Sequence, residues 1–158
     1  AAASNGDTSL TVTGISTTYS LFAISVTDVI VGSSKNLVLN VGTSSGIIAS
    51  GNDYRFHTQN SEDGATGYIA IRGEATTHIF ISGSNPGPAA LVYMDVFPKG
   101  AKFWGGHSSN AGGSLEGGQH FSSYVQDADL TIDRVQITAT GGAAFTAGRL
   151  TVWGIAHA

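Results

Sequence analysis

The chain has 158 residues, of which 41% are hydrophobic and only 11% are charged, and its net charge at pH 7 is −4. Globular domains usually carry about 25% charged residues, so serine, threonine, asparagine and glycine must supply much of the polar surface. Nucleic-acid binding is disfavoured because lysine and arginine form no cluster, and no apolar run is long enough to cross a membrane. The lack of cysteine excludes disulfides and thiolate metal sites.

The chain is predicted to form one domain at residues 9–158, preceded by an N-terminal arm or linker at residues 1–8. The arm has neither the basic start nor the apolar run of a signal peptide. Beyond it, short runs with apolar residues at every second position recur between glycine-rich turns, which is typical of β-sandwiches and barrels. The predicted class is all-β, with strands at residues 10–15, 19–26, 36–41, 53–59, 67–72, 77–82, 90–97, 101–104, 121–126, 130–138 and 149–155.

Three segments depart from simple alternation. Residues 24–31 are the best helix candidate, but they are few and rich in β-branched side chains, which favours a strand. Alternation within residues 131–137 shifts near Arg134, which indicates a bulge. Residues 105–118 contain almost no side chains that could build a core. We therefore expect them to form a long surface loop, and such loops are often functional.

Residues 42–46 read Gly-Thr-Ser-Ser-Gly and match the G-x-S-x-G pattern of a nucleophile elbow. That motif requires a strand before the serine and a helix directly after it. Here the next residues are soon interrupted by Gly51, so a helix is not expected. We interpret Ser44 as part of a serine- and glycine-rich turn.

The five histidines lie at no spacing typical of metal ligands; they are His57, His78, His107, His120 and His157. His107 and His120 flank the glycine-rich segment and could meet in space, as ordinary surface histidines or as contacts to a metal or a sugar. No acidic residue stands in a recognisable catalytic context, although sequence cannot reveal a facing carboxylate pair. We predict no metal, no cofactor and no catalytic residue.

Aromatic side chains beside the glycine-rich segment are candidates for recognition. Trp104 opens the segment, and an aromatic face with a polar rim suits sugars and protein partners. The alternative for Trp104 is a place in the core or in a subunit interface, and Trp153 is interpreted as structural. The predicted contact residues for a glycan or partner are Trp104, His107, Asn110, His120 and Tyr124.

The C-terminal sequence resembles a known pattern. A strand at residues 133–138 is followed by a glycine-rich turn and then by Phe145-x-x-Gly148-x-Leu-x-Val-Trp153-Gly154-Ile155. This is similar to the C-termini of bacteriophage tail and prophage structural proteins. Residues 19–24 and 36–41 resemble the opening hairpin of the same module, and residues 53–56 resemble its Y-x-[YF] strand. The resemblance covers most of residues 9–156.

The resemblance implies a jelly-roll-like antiparallel β-sandwich, as in tail-fibre, receptor-binding, head-fibre and capsid-decoration domains. Such modules usually assemble as homo-oligomers, often trimers. Their partners would be other capsid or tail proteins, and a host surface polysaccharide is a second candidate partner. The family has no universal catalytic motif, so the resemblance assigns no catalytic residue.

These observations predict a phage-like virion structural protein at the virion surface, extracellular after release, and not an enzyme. It is predicted to contact neither nucleic acid nor the membrane interior. The first alternative is a free-standing carbohydrate-binding module or lectin. The second is a polysaccharide depolymerase, or an esterase that uses Ser44.

Overall fold

The computed structural model describes residues 1–16, 18–19, 21–31, 35, 37–50, 54–62, 69–82, 88–95, 102–110, 117–125 and 131–156. From residue 55 to residue 125 it describes the backbone and strand register, and side chains only at Thr77 and His78. The regular secondary structure of these residues consists of strands and one short 3-10 turn, so the all-β prediction is confirmed. In this part of the chain, no helix is long and apolar enough to span a membrane.

The strands, numbered in chain order, are β1 (Ser9–Thr13), β2 (Leu21–Val31), β3 (Leu37–Thr43), β4 (Gly46–Ile47), β5 (Tyr54–Glu62), β6 (Ile69–Thr76), β7 (Ile79–Ser82), β8 (Pro88–Asp95), β9 (Lys102–Asn110), β10 (Gly117–Val125), β11 (Arg134–Ala139) and β12 (Phe145–Ile155). The 3-10 turn, Thr140–Gly142, joins the last two strands. Each predicted strand corresponds to one of these, and β4 was not predicted.

All strand pairs described are antiparallel, and they build two sheets. The small sheet has the order β1-β11-β3-β4, and β7 also pairs with β3. The large sheet has seven strands in the order β12-β2-β8-β9-β10-β5-β6. Buried side chains from both sheets form one hydrophobic cluster, which includes Leu39 and Ile137 of the small sheet and Ile24 and Leu150 of the large one. The jelly-roll sandwich implied by the resemblance stays a prediction.

A bulge in β2 explains how its burial pattern changes phase. Phe22, Ile24 and Val26 are buried, and beyond Thr27 burial moves to Val29 and Val31. The pairing with β12 shifts register at this point, because Thr27 opposes Arg149 and Ile30 opposes Ala147. Asp28 takes a positive φ of 55° inside the bulge. An extra residue in one strand reverses which side chains face inward, so both apolar sets stay buried.

The bulge predicted near Arg134 is not present. β11 pairs with both β1 and β3 in continuous register from Arg134 onward, and its burial alternates without a break. The shift in the sequence arises because Ile132 is buried just before the strand begins. The shift in the alternation therefore marks the start of β11 and not a bulge within it. Residues 24–31, the best helix candidate, belong to β2, as their β-branched composition favours.

The predicted loop at residues 105–118 is wrong over much of its length. Residues 105–110 belong to β9 and residues 117–118 to β10, while residues 111–116 lie outside the described part of the chain. β9 pairs with β8 and β10, and β10 pairs with β9 and β5. Neighbours on both sides satisfy the backbone hydrogen bonds of these strands, which compensates for their low intrinsic strand preference.

The N-terminal segment lies along β12 at the edge of the large sheet. The amide nitrogen of Leu150 donates to the carbonyl oxygen of Ala1 at 2.8 Å, and that of Ala3 donates to Gly148 at 2.8 Å. Farther along, the amide of Gly6 donates to Phe145 at 3.0 Å. These bonds satisfy part of an edge that would otherwise be open to pairing with another chain.

Candidate recognition face of the large sheet

The G-x-S-x-G segment forms a tight hairpin, which confirms the turn interpretation. Thr43 of β3 pairs with Gly46 of β4, and the two serines between them are exposed. The carbonyl oxygen of Ser44 accepts a hydrogen bond of 3.2 Å from Nη2 of Arg134. Arg134 is also paired with Asp133 at 2.8 Å. Because a strand and not a helix follows Ser44, the local structure differs from that of a nucleophile elbow.

The predicted contact residues all lie on one hairpin. Trp104, His107 and Asn110 belong to β9, and His120 and Tyr124 belong to β10. The register of this hairpin is continuous and places His107 directly opposite His120. The sequence left open whether these two histidines meet; the pairing of β9 with β10 brings their positions together.

The same register divides the predicted contact residues between two faces. Successive positions of a strand belong to opposite faces of a sheet, whereas directly opposed positions share a face. His107 and His120 are opposed, and position 124 is four residues from His120, so these three positions share one face. Positions 104 and 110 have the other parity on β9 and belong to the opposite face. The five positions therefore do not form a single patch.

Pairing across β8 to β2 shows which of the two faces is turned to the core. Position 104 opposes Met94, which opposes Phe22, and the Phe22 side chain is buried. His107 opposes Leu91, which opposes the half-buried Ser25. We call the face that includes Phe22, Ile24 and Leu150 the core face, and the face that includes Ser25 and Trp153 the outer face.

This assignment separates the histidines from Trp104. Positions 107, 120 and 124 lie on the outer face, and positions 104 and 110 on the core face. The register thus favours the alternative weighed for Trp104, a place in the core or an interface.

The outer face also includes positions that sequence reasoning did not select. One row crosses all seven strands in the order Trp153, Ala23, Tyr93, Gly105, Ser122, His57 and Arg72. A parallel row includes Ser25, Leu91, His107, His120 and Gln59. Trp153 is 50% exposed on this face, and its interpretation as a structural residue stays a prediction. The sequence did contain a signal for the position of Trp153. Leu150 and Val152 share the core face of β12, and Trp153 is one residue from Val152, so an alternating strand places Trp153 on the outer face.

His78 is separate from this face. It lies in the turn between β6 and β7, and its Nδ1 is 2.9 Å from Oγ1 of Thr77. Burial lowers the pKa of His78, because desolvation disfavours the charged imidazolium. Among the side chains that the structure describes, no group of three or more histidines or acids could hold a metal ion. His157 lies outside the described residues.

A comparison with models of known protein families finds no match, and no curated protein sequence matches the chain.

Proposed function

We propose that this chain is a structural protein of a phage-like virion and that the outer face of its large sheet binds a partner at the virion surface. The observation that carries the proposal is the row of positions from Trp153 to Arg72, which crosses the whole sheet on the face turned from the core. The resemblance of β11, the glycine-rich turn and β12 to phage structural proteins supports the virion assignment.

The composition of the outer face suits weak, repeated recognition. Tyr93 and Trp153 occupy the row together with two small residues, Ala23 and Gly105. Aromatic rings bury a large area at little cost in conformational entropy. Uncharged polar positions such as Ser122 can hydrogen-bond hydroxyl groups without a large desolvation cost. This chemistry favours a polysaccharide of the host surface as the partner.

Low affinity at one face is sufficient if several copies act together. Binding through linked sites raises the overall affinity by roughly a hundredfold or more when the geometry permits simultaneous contact. A homo-oligomer of the kind implied by the resemblance would provide such copies. The proposed contact positions are Tyr93, His107, His120, Tyr124 and Trp153; Trp104 and Asn110 are assigned to the core face.

A glycan array probed with the purified chain tests the binding proposal. We expect Trp153→Ala to weaken binding about tenfold or more, since aromatic residues dominate the energetics of such surfaces. Ile30→Ala is the matched control, because Ile30 is an exposed apolar residue of β2 outside the row. Equal losses in both variants, or no binding to any surface polysaccharide, would contradict the glycan part of the proposal.

Light scattering on the same chain separates the virion protein from its main alternative. A stable homo-oligomer is expected for the virion component. A monomer that binds glycans with full affinity would favour a free-standing carbohydrate-binding module or lectin. Hydrolysis of a bound polysaccharide that is abolished by Ser44→Ala would favour the enzyme alternative.

A further inference from the structure

We propose that the free edge of β12 pairs with the same edge of a second copy of this chain, so that two large sheets join into one continuous sheet. The contact segment is residues 151–155, and a two-fold axis beside Trp153 relates the two copies. The proposal rests on the hydrogen bonding and register of β12 and is independent of which partner the outer face binds.

The N-terminal segment covers only part of the β12 edge. The ammonium group of Ala1 donates to the carbonyl oxygen of Leu150 at 2.7 Å, and the amide of Leu150 donates back to Ala1 at 2.8 Å. In an antiparallel sheet, alternate residues of a strand direct their amide and carbonyl groups to the same neighbour. Val152 and Gly154 therefore direct theirs to the same side as Leu150. Within the described part of the chain, no hydrogen bond engages these groups of Val152 and Gly154.

The open part of this edge has none of the usual protection against pairing. Natural edge strands are commonly protected by lysine, by proline or by a bulge. Residues 151–155 read Thr-Val-Trp-Gly-Ile, with neither a charge nor a proline, and their register with β2 is continuous. An open groove lined by Ala1, Val12 and Val152 lies beside the edge where the N-terminal segment begins. Another strand therefore finds both open hydrogen-bonding groups and space.

The open segment is complementary to itself. In a hydrogen-bonded antiparallel pair, two opposed residues exchange both of their backbone bonds. With the two-fold axis beside Trp153, Val152 of each copy opposes Gly154 of the other copy. Each of these pairs exchanges its bonds, so the two residues with open groups satisfy one another across an isologous interface.

The length of β12 fits this register. The strand ends at Ile155. One residue farther, Ala156 of the second copy would oppose Leu150, whose amide and carbonyl are already bonded to Ala1. The strand of the second copy therefore ends where the N-terminal segment of the first begins, and the two do not compete for the edge.

Trp153 favours a second copy over an unrelated strand. Its side chain is 50% exposed on the outer face. The two-fold axis places the two Trp153 residues directly opposite each other, where Cβ atoms are about 4.5–5.5 Å apart and aromatic pairs stabilise antiparallel sheets. The pairing covers apolar surface that a single copy leaves in water. Opposed residues share a face, so the outer faces of the two copies point in the same direction.

Sedimentation equilibrium of the purified chain tests the interface at concentrations up to about 1 mM, because interfaces of this small size bind weakly. We expect a monomer–dimer equilibrium. Trp153→Lys should weaken the association about tenfold or more, since two like charges then face each other across the axis, and added salt should restore part of it. Ile30→Lys is the matched control and should dimerise like the wild type, because it places the same charge at an exposed apolar residue of β2, an interior strand of the sheet.

Amide hydrogen exchange followed by NMR tests the same interface without a substitution. Protection of the Val152 and Gly154 amides should rise with protein concentration as the dimer forms. The amides of Thr151 and Trp153 face β2 and should be protected at every concentration. This measurement also decides the question if Trp153→Lys fails to fold.

Three results would overturn the interface. The first is a wild-type chain that stays monomeric at about 1 mM. The second is a dimer in which the Val152 and Gly154 amides exchange as fast as in the monomer. The third is an oligomer that Trp153→Lys leaves intact, which would still be compatible with a virion protein. Failure of glycan binding would leave all these readouts unchanged, so the two proposals are tested separately.

Discussion

The hydroxyl of Tyr54, at the start of β5, donates a hydrogen bond of 2.7 Å to the carbonyl oxygen of Ile48, which directly follows β4. The same hydroxyl accepts a hydrogen bond of 3.1 Å from the amide of Val41 in β3. The Tyr54 side chain is fully buried. One phenol thus joins the large sheet to the backbone of the small sheet, inside the shared core.

Replacing Tyr54 by phenylalanine should destabilise the protein by about 1–3 kcal/mol, because the buried amide of Val41 and carbonyl of Ile48 each lose a partner. The free energy of unfolding in urea measures the effect. Tyr19→Phe is the control, since Tyr19 is 37% exposed, and its change should stay within about 0.5 kcal/mol. Equal stability of the two variants would show that the hydroxyl of Tyr54 contributes nothing.

Asp28 holds the bulge of β2 in a left-handed conformation, with φ at 55°. Glycine adopts this conformation without steric cost, so Asp28→Gly should leave stability equal or raise it by up to about 1 kcal/mol. Asp28→Val should lower it by roughly 1–3 kcal/mol, because a β-branched residue is strained at positive φ. Thermal unfolding of the two variants measures both changes in stability, and only Asp28→Val should lower the melting temperature. Asp28 is exposed, so lost burial does not complicate the comparison.

Gly42 is needed where β3 meets the hairpin to β4. A Cβ atom at this position would collide with the carbonyl oxygen of Gly46 and with the side chain of Arg134. Gly42→Ala should therefore cost about 1–3 kcal/mol, as expected for overpacking against backbone. Ser44→Ala in the same hairpin is the control and should change stability by less than about 0.5 kcal/mol, because Ser44 is exposed. Chemical denaturation measures both variants, and equal free energies of unfolding would show that a Cβ atom at position 42 does not collide with its neighbours.

His78 should make stability depend on pH. Burial lowers its pKa in the folded state below the ordinary value of 6.5, so the unfolded chain binds the proton first as the pH falls. The contribution of neutral His78 to the stability of the fold is complete above its ordinary pKa of 6.5. This contribution is lost as the pH falls from 6.5 toward the lower pKa of the folded state. His78→Gln should flatten the dependence of the unfolding free energy between about pH 7 and pH 5. Urea unfolding at several pH values, wild type against variant, measures the difference; parallel curves would exclude the effect.

The candidate site could be predicted only in part. The sequence drew attention to His107 and His120 because they flank an unusual glycine-rich segment, and the hairpin brings these positions together. Trp104 was selected by the same proximity, yet its register places it on the core face. His57 was not selected, because no local spacing connects it to His120. Trp104 and His107 are three residues apart, so a strand places them on opposite faces of the sheet. The sequence would have shown this if residues 105–110 had been predicted to form a strand.

The sequence by itself determined the all-β class and most strand positions, because apolar residues at every second position favour an extended chain that buries one face. This is clearest in β11, where buried and partly exposed residues alternate from Arg134 to Ala139. Only the tertiary structure decided that residues 105–110 form a strand, since glycine and serine there carry no hydrophobic pattern and neighbours on both sides supply the hydrogen bonds. It also decided which residues share the outer face, because register depends on long-range pairing.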